Sequence, residues 1–216
     1  MNEKTYSYLV LAGTALVVLA VVYSARLYRG KRGERFSLLN HFISELGEVG
    51  VSRGAWAFNL GLFLGGLSLL PFVVRLGMRL DSVLGWIGMG VGVLSTLGVT
   101  AVGIFPMNRL KPHSWAALTF FRAGLAMVFF FGLAILTQPA GKIVIPKAAN
   151  LLSLLAAVAF GSFLLSPCFE KRDNTVGEML DPEVVPERPA FWLMPFLEWL
   201  VFFATLLWLF GMAWFV

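Results

Sequence analysis

Six unbroken apolar stretches, each 20 to 24 residues long, constrain this chain more than any other feature: 6–28, 56–76, 82–105, 115–136, 147–166 and 191–214. A helix crossing the bilayer needs about 20 mostly apolar residues, because the hydrocarbon holds no water to satisfy a bare backbone. Together the stretches hold 134 of the 216 residues, so 1–216 reads as one transmembrane domain with no room for a separate soluble one. A membrane β-barrel would alternate apolar and polar residues over segments of about ten, and these runs do not. The expected fold class is all-α: a polytopic bundle of six transmembrane helices, multi-pass in a plasma or inner cell membrane.

Composition agrees. Charged residues make up 13% of the chain, against about 25% in soluble domains. A single Cys excludes a disulfide framework and any multi-Cys metal site. The first stretch is too long for a signal-peptide core, and Ser24-Ala25-Arg26 is not a small-x-small cleavage site. It is read as a helix.

Lys and Arg set the expected topology. The face carrying loops 29–55, 106–114 and 167–190 collects twelve of them, the opposite face five. By the positive-inside rule those three loops are cytoplasmic and both termini lie outside. Loop 167–190 also carries Glu170, Asp173, Glu178, Asp181, Glu183 and Glu187 among prolines, which reads as a solvated acidic loop.

Loop 29–55 has internal order. Phe36, Leu39, Phe42, Ile43 and Leu46 recur at helical spacing, with Ser37, His41, Ser44, Glu45 and Glu48 on a second stripe. This pattern predicts a short amphipathic helix over 36–48, between helices 1 and 2 in the chain, lying along the membrane interface with His41, Ser44 and Glu45 turned toward helix 4 and within reach of His113. Arg29, Lys31, Arg32 and Arg35 precede it as a basic patch suited to anionic lipid headgroups.

Polar residues gather on the same side of the bundle. His41 and His113, the two histidines, map there together with Ser44, Glu45 and a polar cluster of Asn40, Asn59, Thr100 and Asn108. Several chemistries use such groups. Two His and a carboxylate can ligate a metal, but no HExxH-type spacing is present and no metal is expected. Two His can hold a haem axially. Ser44 with a His and a carboxylate can form a nucleophilic triad, although GxSxG is absent. Hydrogen bonding that ties loops to helix ends needs none of these. No cofactor is predicted, with haem and quinone left open.

Arg122 and Glu198 stand inside the apolar stretches, each seven positions from the start of its span. At 1.5 Å per residue both lie roughly 10 Å deep on the same side. Opposite charges at matched depth predict a structural ion pair, since an unpaired charge in hydrocarbon is costly. Gly88, Gly92, Thr96 and Thr100 form a small-xxx-small stripe that permits close approach of helix 3, and Gly61 and Gly65 repeat it on helix 2. Trp192, Trp199, Trp208, Trp214 and Phe215 suggest that helix 6 carries interface belts and a surface for lipid or a partner.

Asn40-His41-Phe42-Ile43-Ser44-Glu45-Leu46-Gly47 resembles the N-x-x-I-S-D/E-L-G signature of the "domain of unknown function 998" family. Gly103-Ile104-Phe105-Pro106, and His113 with Ala116, Ala117, Phe120 and Phe121, are similar to further segments of that family. More distantly, the plan resembles the Frag/DRAM/Sfk group of six-helix membrane proteins, some linked to lipid handling. The resemblance implies a six-helix fold and a surface bearing Asn40, Ser44, Glu45 and His113, and no reaction. It also implies a cytoplasmic N-terminus, opposite to the charge count.

Two functions follow as expectations. The first is a lipid-binding protein or an accessory subunit of a membrane complex, with membrane lipids as partners, a protein partner through helix 6, and no nucleic acid. The alternative is an enzyme acting on lipid headgroups at the His41/His113 face. A small transporter fits less well, because no inverted repeat or acidic relay crosses the bilayer.

Overall fold

A computed structural model describes residues 3–168 and 188–215. Six helices follow in chain order: α1 (Glu3–Leu27), α2 (Ala55–Leu80), α3 (Val83–Ile104), α4 (Leu110–Leu136), α5 (Asn150–Leu165) and α6 (Leu193–Ala213). All six are long and apolar enough to cross a membrane, α5 by extension through the 3-10 turns at its two ends. The protein is a multi-pass membrane protein. The acidic stretch 169–187 lies outside the described residues.

Each helix packs against its chain neighbours, and α6 closes back onto α1. The result is a ring rather than two layers. Contact is most extensive along α1–α2–α3–α4 and least where α6 meets α1. Glycines account for the tight half. A Cβ at Gly98 would stand 2.7 Å from the backbone nitrogen of Phe120 on α4. One at Gly103 would stand 2.5 Å from the carbonyl oxygen of Asn59 on α2. Backbones that approach this closely maximise dispersion between helices, which in lipid replaces the hydrophobic drive.

Local chemistry explains the helix limits. Asp81 ends α2 in the left-handed region, φ 37°, and Ser82 starts α3 by accepting a hydrogen bond from the Gly85 N–H at 3.0 Å. Helix α4 begins five residues before the apolar stretch that predicted it, because Pro112 is favourable in a first turn. His113 is therefore a helix residue, not a loop residue.

Two packing regions fill the ring. At one end Phe72, Phe131, Trp208 and Met212 are fully buried, and the Trp208 indole N–H donates to Ser153 Oγ at 3.0 Å. At the other end Tyr28 and Leu46, from the segment that joins α1 to α2, pack with Phe58 of α2 and Trp199 of α6. The tryptophans of α6 correct the expectation for that helix. Trp192, Trp199 and Trp208 are buried, and of the four only Trp214 projects outward, 88% exposed. Buried indole N–H groups need acceptors, and protein groups supply them for Trp199 and Trp208. Leu200, Phe203, Leu207 and Phe210 cover the outer face instead.

The tight α2–α3 contact is testable. Gly103→Ala forces the two backbones apart, an overpacking that costs about 1–3 kcal/mol. Its thermal midpoint in detergent should fall clearly below that of Gly90→Ala, where an added Cβ meets nothing within 4 Å. Equal midpoints would show that α2 and α3 are not in close register.

Candidate functional site: a polar cap over an apolar cavity

The segment between α1 and α2 does not form the interfacial helix predicted over 36–48. Its regular part is one 3-10 turn, Ile43–Gly47, and the polar stripe faces inward: His41, Ser44 and Glu45 are buried. The segment caps one end of the ring. The reason is Glu45, 1% exposed. Its Oε1 accepts from the Phe42 N–H at 2.8 Å, and its Oε2 from the Tyr28 hydroxyl at 3.1 Å. Arg188 donates to both oxygens, Nη1 to Oε1 at 3.1 Å and Nη2 to Oε2 at 2.6 Å. A bidentate guanidinium plus two neutral donors compensates a carboxylate taken out of water. Burial and the adjacent Glu45 charge push the Tyr28 phenol far above its ordinary range. Burial opposes the Arg188 charge, but the Glu45 bond outweighs it and the guanidinium pKa is raised.

His41 sits beside this pair. Asn40 Nδ2 donates to the Pro189 carbonyl at 2.8 Å, which turns its Oδ1 toward His41 Nδ1 at 2.7 Å. The Ser37 N–H also lies against this nitrogen, at 3.4 Å. Among the described residues the buried Nε2 has no hydrogen bond; it stands 4.0 Å from Glu34 Oε1. Tyr28 and Phe36 pack around the ring, and the His41 carbonyl accepts from the Trp199 indole at 3.1 Å. Burial holds the His41 pKa below its ordinary 6.5, and Glu45 offsets part of that. Glu48 is shifted the other way, upward, by burial and by the Glu45 charge.

Beneath the cap lies a cavity of about 120 Å³, walled by α1, α2, α3, α4 and α6 and roofed by Ile43 and Ser44. It is comparable to the ~150 Å³ apolar cavities that admit a benzene ring. Its walls are apolar or small, including Gly65, Gly66, Ala117, Phe120 and Val201. Polar atoms gather at the cap end. His113 Nδ1 lies 2.8 Å from the Phe105 carbonyl, which accepts and cannot donate, so Nδ1 carries the proton and Nε2 a lone pair. Glu198 Oε2 accepts from the Ile43 N–H at 2.7 Å. Ser44 Oγ makes one weak contact, 3.8 Å to Met107 Sδ.

The sequence-derived site residues thus divide. Ser44 and His113 share the cavity wall, together with Glu198. His41 and Glu45 belong to the cap, with Asn40. Asn59 ties α2 to the cap by donating to the Gly47 carbonyl at 3.0 Å, and Asn108 clamps Val49 through two bonds of 2.7 and 2.6 Å. Thr100 bonds within its own helix, to the Thr96 carbonyl. Arg29, Lys31, Arg32 and Arg35 are exposed along the outer edge of the cap. Among the described residues no three His, Cys, Asp or Glu side chains converge in a metal-binding group.

The predicted pair of Arg122 and Glu198 is not formed. Glu198 is 7% exposed and turned toward Ile43, while Arg122 is exposed on the outer face of α4 with Trp115, Leu118 and Phe129. Depth matched, but azimuth did not: α6 packs against α1 and α5. Arg122 tilts toward the start of α4, as helix side chains do, so it snorkels toward the headgroups at the cap end. Arg188 counted in the sequence only as one of the basic residues on this side and Tyr28 only as the end of the first span; neither they nor Thr205 were expected in the site. Arg188 contacts a residue 143 positions away, and no spacing signal spans that distance.

Fold and cavity together define a multi-pass helical membrane protein with a capped, polar-tipped internal pocket. Over residues 11–215 the chain matches the family described as Protein of unknown function (DUF998), and it belongs to that family. Nothing among curated proteins or solved structures matches it.

Two measurements probe the cap. Arg188→Leu strands the Glu45 charge and should cost about 3 kcal/mol, the low end for a broken buried pair because Arg188 keeps some access to water. Adding Glu45→Gln, which still accepts from Tyr28 and Phe42, should restore part of the loss; additive losses would deny the coupling. For His41, the unfolded chain takes up its proton as pH falls through 6.5 and the folded chain only below that, so its contribution to stability is lost on acidification. Glu48 works in the opposite sense, stabilising at low pH. Between pH 7.5 and 5 the thermal midpoint of the wild type should therefore drop more than that of His41→Gln, which keeps the Glu48 contribution. Parallel curves would refute the role of His41.

Proposed function

We propose that this protein is a lipid-binding membrane protein that holds an apolar group in the cavity under its cap. The observation that carries this reading is the cavity itself: an apolar space inside the ring, with His113, Glu198 and Ser44 at its capped end, bordered by the loosest helix contact, α1 against α6. A preformed apolar pocket with a few convergent polar groups is the usual form of a small-ligand site. Val17 on α1 and Phe202 and Leu206 on α6 line it while only half-buried, which favours entry of a chain from the bilayer along that side.

In this reading the cap faces the cytoplasm of a plasma or inner membrane, as the excess of Lys and Arg on that side favours. Arg29, Lys31, Arg32 and Arg35 then meet anionic headgroups, each contributing about 1 kcal/mol near such a surface. The outer face of α6, with Leu200, Phe203 and Leu207, is where a membrane partner would pack. One observation favours a second reading, an enzyme acting on lipid headgroups: the Ser44 hydroxyl and the lone pair of His113 Nε2 belong to one cavity wall. Ser44→Ala separates the readings, since it should leave lipid retention within about twofold and would abolish turnover only in an enzyme.

Native mass spectrometry of protein purified in mild detergent should show one retained lipid. Ala117→Phe fills the cavity and should remove that lipid without lowering the thermal midpoint. A wild type that retains no lipid, or an Ala117→Phe protein that retains it equally, would contradict the proposal.

A further inference from the structure

The polar end of the cavity restricts what can occupy it. Among the described residues no Lys or Arg lines the cavity, and Glu198 contributes a carboxyl group to its wall. Glu198 Oε2 is engaged by the Ile43 N–H. His113 Nε2 presents a lone pair, because Nδ1 holds the proton against the Phe105 carbonyl. Thr205 Oγ1, also in the wall, is buried without a hydrogen bond among the described residues, but it stands seven residues, about 10 Å, further along α6 than Glu198 and so lies deeper than the polar end. Ser44 Oγ has only its weak sulfur contact. The inventory of the polar end is thus the His113 acceptor, the Glu198 carboxyl and one hydroxyl, Ser44, that both donates and accepts.

Resting on the lipid-binding reading, we propose that the occupant is an uncharged lipid whose polar end is a hydroxyl group. A hydroxyl donates to an acceptor such as His113 Nε2 and accepts from Ser44, so both kinds of group are satisfied at once. A phosphate head would carry its charge into an apolar wall with no cation to balance it, where an uncompensated ion is costly. An ammonium head could approach the Glu198 carboxyl, but it cannot accept from the Ser44 hydroxyl. The size agrees: about 120 Å³ holds the head and the first carbons of one chain, and a bulky zwitterionic headgroup exceeds it. The rest of the chain runs out between α1 and α6.

Three probes with one chain test this: 1-hexadecanol, hexadecyl phosphate and hexadecylamine, titrated onto delipidated full-length protein and read by native mass spectrometry. Hexadecanol should bind at least tenfold more tightly than either charged probe. Glu198→Gln still accepts from the Ile43 N–H and should keep the preference for hexadecanol over the phosphate, because the wall still offers the phosphate no cation. Thr205→Val, two helical turns deeper, should leave the ranking of the three probes unchanged. Equal affinity for all three probes, or preference for the amine or phosphate, would overturn the hydroxyl assignment while leaving lipid binding in place. Failure of every probe to saturate the wild type, with Ala117→Phe indistinguishable from it, would overturn lipid binding itself.

Discussion

A carboxylate that leaves water at the end of a membrane bundle must be given every donor it needs, and Glu45 imposes that demand on this fold. Its partners come from three separate places: the Tyr28 hydroxyl from the end of α1, the Phe42 N–H from the turn itself, and the Arg188 guanidinium from the approach to α6. Meeting the demand pulls those segments into one cap. Removing one partner costs more than the pair contributes, because the remaining charge stays buried. Arg188 also donates to the Asn40 carbonyl, Asn40 holds Pro189, and Trp192 N–H reaches the Leu39 carbonyl, so the two strands of the cap are stitched along their length.

The cap in turn decides what the ring encloses. With the turn held by Glu45, Ile43 and Ser44 lie over the cavity and the Ile43 N–H points at Glu198. Six helices arranged in chain order around a ring leave a centre that side chains must fill. Here Gly65 and Gly66 let α2 lie close against Val17 of α1 and Thr100 of α3, and Ala117 presents too little bulk to fill the space they border, whereas Phe72, Phe131 and Trp208 fill the other end. An apolar void costs its lining atoms their dispersion partners. In the lipid-binding reading proposed above, a lipid chain drawn from the bilayer would restore those contacts and so couple occupancy of the cavity to the stability of the ring.

The spans were legible because the bilayer sets a length that no other environment demands, and the helix count needed nothing else. The segment Asn40–Gly47 was legible as a place but not as a set of roles. Its period marked an amphipathic helix with His41, Ser44 and Glu45 turned toward helix 4; the segment is instead a 3-10 turn, and Tyr28 and Arg188 hold the Glu45 carboxylate of that buried face. Arg122 and Glu198 were paired on depth, which rise per residue supplies, while the direction each helix faces was unknown. The tryptophans of α6 were read from an average preference for interfaces, and the acceptors Ser153 Oγ and the His41 carbonyl drew two of them inward.

By itself the sequence determined that the chain lives in a membrane, that it crosses six times, and that its polar chemistry gathers at one end. Those properties are sums over consecutive residues, and hydrocarbon reads them locally. Only the tertiary structure decided that Ser44 and His113 face a shared cavity with Glu198, that His41 and Glu45 serve the cap, and that Arg122 stands outside. These depend on the azimuth of each helix and on the closure of the ring. Both are fixed by contacts such as that between Arg188 and Glu45, 143 residues apart, whose energy no local stretch of chain contains.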